Sequence, residues 1–411
     1  MSAKPTMFSV LRNRDFLFLE TNAFFATLAA EILTVSVAWM IYDISRDPFD
    51  LGLVGLVQFL PVLLLVMLTG TFADKYSRRR IIAICMGVEF VAVLGITLAA
   101  VSGGAKIWPI LALLALLGAG RAFLTPASRA LSPSVVKREE IGAAISCSTA
   151  IWQFCSIAGP AIGGLLYGIS PLVAYVTALA MIAIALLASL FIRPVPQRAV
   201  EEGSVLESLL GGFRYMKAEK IVLGATTLDL FAVLFGTTVV LLPIYARDIL
   251  VAGPFELGVL RAAIGVGALA MALYLGIYPV RRRAGHIMFG AVLIFGLGTI
   301  VFALSHVLIL SVVALAIMGA SDMVSVYIRE VLIQLWTPDQ LRGRVTAVNS
   351  VLVNASNELG AFRAGAAAGV MGTIPAAVLG GICTLIITLL WMRWFPKLRQ
   401  ADDLSGADSG D

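Results

Sequence analysis

The chain has 411 residues, of which 60% are hydrophobic and 13% charged, and its mean hydropathy is +0.96. Soluble globular proteins have about 45–50% apolar and about 25% charged residues, so this composition excludes an ordinary water-soluble domain. The net charge of +5 does not indicate nucleic-acid binding, because no basic run is interleaved with the aromatic residues that a stacking surface needs.

Apolar stretches long enough to cross about 30 Å of hydrocarbon follow one another along the chain. They predict an all-α membrane protein with twelve transmembrane helices. The approximate bounds of these helices are Phe16–Tyr42, Leu51–Phe72, Ile81–Val101, Ile107–Ala127, Ile141–Gly168, Pro171–Ile192, Ile221–Ala246, Phe255–Tyr278, His286–Leu304, Val307–Ile328, Val345–Gly369 and Ile374–Trp394.

The longest polar stretch, residues 193–220, separates two predicted six-helix bundles. The first bundle covers residues 1–192 and the second residues 221–395, followed by a tail over residues 396–411. A helix N-cap pattern begins at Ser204, so a short amphipathic surface helix and a plain linker both remain open for this segment.

The distribution of basic residues predicts the orientation of the chain. Twenty-three lysines and arginines fall in the termini and loops on one side of the predicted spans, and three fall in loops on the other side. Because cytoplasmic loops are enriched in Lys and Arg, both termini are expected in the cytoplasm, with the protein in a bacterial inner membrane.

The two halves of the chain have the pattern of an internal duplication. A shift of 201 residues aligns four glycines of the first half with four of the second: Gly142, Gly159, Gly164 and Gly168 with Gly343, Gly360, Gly365 and Gly369. Together with the equal helix counts, this favours two structural repeats, which are common among secondary transporters.

The loop after the second predicted helix carries the most specific motif. It contains Gly70, Asp74, Arg78 and Arg79 in the pattern G-x-x-x-D-x-x-x-R-R, with Ser77 where the family often has glycine. In sequence and position it resembles the signature loop of the major facilitator superfamily, which implies two rocking six-helix halves and a latch that holds one conformation. A basic loop that only sets orientation is the alternative.

A second motif lies in the fifth predicted helix, where Gly159, Pro160, Gly163 and Gly164 occur together. It resembles the G-P-x-x-G-G stretch found in exporters of this superfamily, and small residues of this kind allow close helix packing. Further stretches, such as residues 11–16 and 338–345, resemble the branch of siderophore exporters and drug:proton antiporters. For the motif at Gly159–Gly164, the alternative is that its glycines only allow close helix packing and say nothing about the direction of transport.

Charged residues inside the predicted spans are costly and therefore candidates for function. Glu31 shares a helix face with two threonines, and we predict it as the first choice for proton coupling. Asp322 and Glu358 are further candidates for binding protons or substrate, with Arg363 and Asn354 adding polarity to the eleventh span. The alternative for these acids is a helix-packing hydrogen bond or static pairing with a nearby arginine.

Three more charged residues receive weaker predictions of the same kind: Glu89, Arg121 and Asp229. Near the ends of the spans we expect Glu20, Arg261 and Glu330 to reach the membrane surface, as long polar side chains usually do there. The cysteines show no metal-ligand spacing, and no metal site is expected.

These features predict a secondary active exporter rather than an enzyme. It would move a small amphipathic compound, such as a drug or siderophore, against protons by alternating access. It would use no cofactor beyond the coupling proton, lie in the bilayer and act as a monomer. An importer or uniporter on the same fold, and a non-transporting sensor or assembly factor, are the alternatives.

Overall fold

The computed structural model describes residues 10–102, 106–193 and 205–400, without the side chains of residues 66–68, 70–71, 73–75 and 205–209. Helices account for nearly all of this part of the chain. The first six are α1 Arg14–Ser45, α2 Pro48–Lys75, α3 Arg78–Val101, α4 Ile107–Val135, α5 Ile141–Ile169 and α6 Pro171–Phe191. The others are α7 Val205–Ala218, α8 Lys220–Gly236, α9 Pro254–Ile277, α10 Ala284–Leu304, α11 Leu308–Trp336, α12 Asp339–Met371, α13 Thr373–Trp394 and the short α14 Pro396–Arg399.

Eleven spans in the described residues are long and apolar enough to cross a membrane. The twelfth is α12, whose 33 residues would extend about 50 Å at 1.5 Å per residue. Its charged residues make it too polar to count among the eleven apolar spans, although it is longer than a bilayer requires. The all-α fold predicted from the sequence is confirmed, and α7 is an additional helix in the linker.

The seventh predicted span, Ile221–Ala246, was wrong as a single helix. Helix α8 ends at Gly236, and the chain continues through short helical turns from Val239 to Ile249. The physical reason is that Arg363 donates hydrogen bonds to the carbonyl oxygens of Leu234 and Phe235. These bonds satisfy backbone groups that a continuous helix would have used.

Helix α11 is longer than its predicted range, because it continues past Ile328 to Trp336. Hydropathy ends the predicted span where Arg329 and Glu330 begin, but both residue types are good helix formers. Arg329 is also buried within its unit, so the helix stays packed beyond the apolar stretch.

The structure divides into two compact units. The first contains Met1–Arg46, Val57–Glu202 and Gly253–Ala262, and the remaining residues form the second. In the first unit α1 packs against α5 and α6, and α3 packs against α4 and α6. In the second, α10 packs against α11 and α13, while α12 packs against α7 and α8.

The aligned glycines Gly159 and Gly360 each lie at a close helix crossing, whereas Gly142 and Gly343 meet nothing within 4 Å. In the first, Gly159 packs against Glu31 of α1; in the second, Gly360 packs against the end of α8 at Thr237. Gly118 in α4 and Gly319 in α11, also 201 residues apart, each lie against the backbone of a neighbouring helix. The predicted repeat thus corresponds to a repeated packing geometry.

Candidate functional site

The first unit contains a cavity of about 650 Å³. Small ligands are usually bound in cavities of about 300–1,000 Å³, so this one can hold a drug-sized molecule. Its polar lining includes Glu20, Thr27, Glu89, Arg121 and Ser148, and the exposed ring of Trp152 adds an aromatic surface. A ligand with both apolar and hydrogen-bonding parts matches this lining.

Arg121 is one of two arginines in the cavity wall, the other being Arg129. The Nε of Arg121 lies 3.9 Å from Oε1 of the buried Glu89, and its Nη1 lies 3.5 Å from Oε1 of Gln58. About one third of the Arg121 side chain remains exposed, so it can also meet a ligand. The structure therefore brings together two predicted residues, Glu89 and Arg121.

Glu20 is the residue that sequence reasoning missed. Although it lies only seven residues into α1, it is buried, and its Oε1 accepts a 2.6 Å hydrogen bond from the hydroxyl of Ser148. Its second oxygen, Oε2, has no hydrogen-bond partner. The expectation that Glu20 reaches the membrane surface was wrong, because α5 covers it and supplies a donor.

Glu31 lies about one turn beyond Thr27, a cavity-lining residue of α1, and is half-buried. Arg121 and Arg261 are the positive side chains whose charges act on it. Arg261 therefore interacts with a charged residue of its unit, in contrast to the expected contact with the membrane surface. Two cations of the same unit therefore act on the Glu31 carboxyl group, and Glu31 belongs to the helix whose Thr27 and Ala30 line the cavity.

The glycines of α5 make room for α1 and α9. A Cβ atom on Gly163 would lie 2.9 Å from the Cα of Ile32, and one on Gly164 would lie 2.9 Å from the Cα of Gly258. Gly159 is pressed against the Cβ of Glu31, and the backbone oxygen of Pro160 faces Gly258. The motif thus allows a close approach that positions Glu31.

The predicted latch loop is described only in part. Gly70 and Asp74 lie in α2, but their surroundings lie outside the described side chains. Arg78 donates to the carbonyl oxygen of Ala130 over 2.7 Å, and Arg79 donates to that of Leu190 over 2.6 Å. Leu190 belongs to the last turn of α6, where unpaired backbone oxygens favour cations, whereas Ala130 lies more than one turn before the end of α4.

The second unit holds a buried charge cluster. Asp229 of α8 forms an ion pair with Arg329 of α11, and both side chains are almost fully buried. Asp322, two turns before Arg329, lies in the field of both residues. The predicted residues Asp229 and Asp322 thus belong to one cluster. The ion pair of Arg329 is with Asp229 and not with Asp322.

Arg363 hydrogen-bonds to the backbone of a neighbouring helix in this unit. Its Nε and Nη2 donate to the carbonyl oxygens of Leu234 and Phe235 over 2.8 and 2.6 Å, at the end of α8. Glu358 lies against the start of α2, where a Cβ atom on Gly55 would be 2.7 Å from its Oε2, and Asn354 is exposed. Glu330 was expected at the membrane surface; it accepts a 2.9 Å hydrogen bond from Asn349.

A family model described as transmembrane secretion effector matches residues 5–409. The chain belongs to this family of major facilitator transporters. It is therefore a multi-pass membrane transporter of the exporter type, and not an enzyme.

Two curated relatives of this secretion effector are enterobactin exporters named EntS. The proteins from Shigella boydii serotype 18 and Escherichia coli O1:K1 / APEC are each 27% identical to it over 390 residues. The alignments cover 92% of this chain and 91% of each relative. The resemblance to the siderophore-exporter branch is confirmed at this level.

Solved structures show the same fold. The nucleoside transporter NupG matches with a TM-score of 0.70 and 14% identity, covering 93% of this chain and 99% of that one. A bacterial homologue of the lysosomal transporter Spinster, in an inward-facing and occupied conformation, matches with a TM-score of 0.75 and 14% identity over 94% and 98% of the two chains. The predicted major facilitator fold is confirmed.

Proposed function

We propose that this transporter exports a small amphipathic compound in exchange for protons, with Glu31 as the residue that couples the two. A siderophore or a drug-like molecule is the expected cargo. Cargo would bind in the first unit and a proton would bind to Glu31 in the same unit. Binding of one would favour release of the other.

The position of Glu31 is the observation that carries this proposal. Its carboxyl group is under the electrostatic influence of Arg261 and Arg121, and it stands on the helix whose Thr27 and Ala30 line the cavity. A carboxyl group removed from water favours its neutral form, whereas nearby cations favour its charged form. A ligand that approaches or neutralises Arg121 would therefore change how readily Glu31 holds a proton.

The cavity of the first unit supplies the cargo site in this proposal. Arg121 can bind an acidic or phenolic oxygen, the free Oε2 of Glu20 can accept a hydrogen bond, and Trp152 can stack on a ring. Such a mixture suits a molecule with hydroxyl or amide groups on an aromatic body. It would not select a simple sugar, because much of the lining is apolar.

The outward direction of transport is supported by the packing of α5. The four residues of its motif occupy tight contacts with α1 and α9, and the sequence pattern resembles that of exporters. The curated relatives named as enterobactin exporters support the same direction.

We also infer that the protein is a monomer in a bacterial inner membrane. Both termini would lie in the cytoplasm, and the protein would hold no resident cofactor or metal.

Everted membrane vesicles test the direction and the driving force together. Vesicles that contain the transporter should take up enterobactin or an amphipathic dye when respiration acidifies their interior, and nigericin, which dissipates the pH gradient, should stop the uptake. Vesicles without the transporter give the background for each compound.

An importer would be indicated by accumulation in right-side-out vesicles instead, and that result would contradict the proposal. Uptake that continues unchanged without a pH gradient would contradict proton exchange while leaving export intact. A binding assay with purified protein and the same compounds then distinguishes a sensor, which binds without transport.

A further inference from the structure

A second, much smaller cavity lies inside the second unit, between α8, α10 and α11. Its volume is about 10 Å³, which is about the space that one water molecule requires. The polar residues that line it are Asp229, Ser321, Asp322 and Ser325, and the rest of the lining is apolar. A cavity of this size cannot hold cargo, but it can hold one small ion or one water molecule.

The charges around this cavity do not balance. Arg329 is paired with Asp229, so this ion pair is neutral as a unit. Asp322 adds a second carboxylate, and the charged groups that act on it are Asp229 from α8 and Arg329 from its own helix. The described lining from α10 is apolar, Val292 and Phe295. If both carboxyl groups are ionised and Arg329 is protonated, the cluster carries a net charge of minus one.

A polar group with no partner points to what the cavity binds. Ser325 is 2% exposed, lines the cavity, and its hydroxyl oxygen has no hydrogen-bond partner. Leaving a buried hydroxyl without a partner costs about 1–3 kcal/mol. An occupant of the cavity that meets both the Ser325 hydroxyl and the Asp322 carboxylate would remove this cost and the charge imbalance together.

The repeat relationship separates this cavity from the cargo site. Asp322 is 201 residues after Arg121, and each lies three residues after the equivalent glycines Gly118 and Gly319. The first unit thus places a cation beside a large cavity, and the second places an anion beside a very small one. Equivalent positions of the two units therefore carry opposite charges. A positive side chain suits a ligand with acidic or electron-rich groups, and a negative side chain suits a cation.

We propose that the small cavity binds one monovalent cation, either a hydronium ion that gives its proton to Asp322 or a sodium ion in the same place. In the first case a proton attaches to a carboxylate oxygen of Asp322 and a water molecule stays beside Ser325. In the second case the oxygens of Asp322, Ser321 and Ser325 contact the metal ion. The inference rests on the proposed function, because this cation would be the second coupling ion of the exporter.

The test uses the purified, full-length transporter in detergent without cargo. Proton uptake is counted with a pH indicator between about pH 9 and about pH 6, a range in which exposed carboxylates stay ionised. Sodium binding is measured in parallel with radioactive ²²Na⁺. Asp322→Asn is compared with wild type and with Asp339→Asn, which removes an exposed carboxylate that pairs with Arg342.

Two results support the proposal and identify the ion. If the ion is a proton, Asp322→Asn takes up one proton fewer per molecule, whereas Asp339→Asn matches wild type. If it is sodium, wild type binds it saturably and Asp322→Asn loses at least about tenfold in affinity, equivalent to 1.4 kcal/mol. Identical proton uptake in wild type and Asp322→Asn, with no sodium binding in either, overturns the proposal.

Ser325→Ala provides a second variant that keeps every charge in place. We expect it to move proton uptake to lower pH, or to weaken sodium binding several-fold. If Asp322→Asn fails to fold, unchanged behaviour of Ser325→Ala in both measurements overturns the proposal. The assay contains no cargo and no membrane potential, so its failure leaves the vesicle test of export unaffected.

Discussion

Gly159→Ala tests whether the α5 motif positions Glu31. A methyl group at this position would overlap the Cβ of Glu31, so α1 and α5 would have to separate. Overpacking of this kind costs about 1–3 kcal/mol, whereas alanine gains about 1 kcal/mol over glycine from helix propensity. The net effect on unfolding free energy is therefore a loss of up to about 2 kcal/mol.

Gly168→Ala is the matched control on the same helix. A Cβ atom there meets nothing within 4 Å, so this variant gains the helix propensity without the overlap. The difference between the two variants isolates the steric cost of about 1–3 kcal/mol. It is measured by thermal unfolding in detergent, and proton-driven efflux should fall several-fold for Gly159→Ala alone. Equal stability and equal efflux for both variants would refute this account of the motif.

Three further predictions concern the buried ion pair, the end of α8 and the linker helix α7. Arg329→Gln leaves the buried Asp229 and the half-buried Asp322 without a cation and should lower stability by about 3–5 kcal/mol, and adding Asp229→Asn should recover part of this loss in the same unfolding assay. Arg363→Leu should destabilise the protein by about 1–3 kcal/mol, because it leaves helix-end carbonyls unpaired, while cargo affinity measured by binding stays at the wild-type value. Burial and the neighbouring charge of Glu219 raise the pKa of Tyr215, which donates a hydrogen bond to the carbonyl oxygen of Trp336. Because the pKa is raised, the folded state holds the Tyr215 proton more tightly than the unfolded state does. The stability that this proton contributes is fully present below the ordinary tyrosine pKa of about 10, and it is lost as the pH rises through the pKa of the folded state. Tyr215→Phe should remove this loss of stability at alkaline pH, as measured by melting curves.

The sequence predicted the spans because a bilayer imposes a simple rule on composition. An apolar run of sufficient length has few alternatives to a helix in hydrocarbon, since its backbone groups must pair with one another. The break after Gly236 escaped this rule because Val239–Leu241 and the following turns are as apolar as the helix before them. The tertiary contact from Arg363 to the carbonyl oxygens of Leu234 and Phe235 marks that break, and hydropathy cannot show it.

The site was predictable at the level of residue type, not of partners. A charged residue inside a span is costly wherever it lies, so Glu31, Glu89 and Asp322 could be identified from position alone. Glu20 was missed because its place near the start of α1 gave no sign of Ser148, which is 128 residues away. For Arg363 the sequence indicated polarity in the eleventh span, but it could not show the hydrogen bonds to the end of α8.

The central claim is that Glu31 couples proton movement to export. Its most direct test is efflux into everted vesicles by Glu31→Gln, with Glu139→Gln, which alters an exposed loop carboxylate, as the control. We expect Glu31→Gln to abolish uphill accumulation and to retain counterflow between cargo on the two sides of the membrane. Full uphill accumulation by Glu31→Gln, equal to that of Glu139→Gln, would contradict the claim.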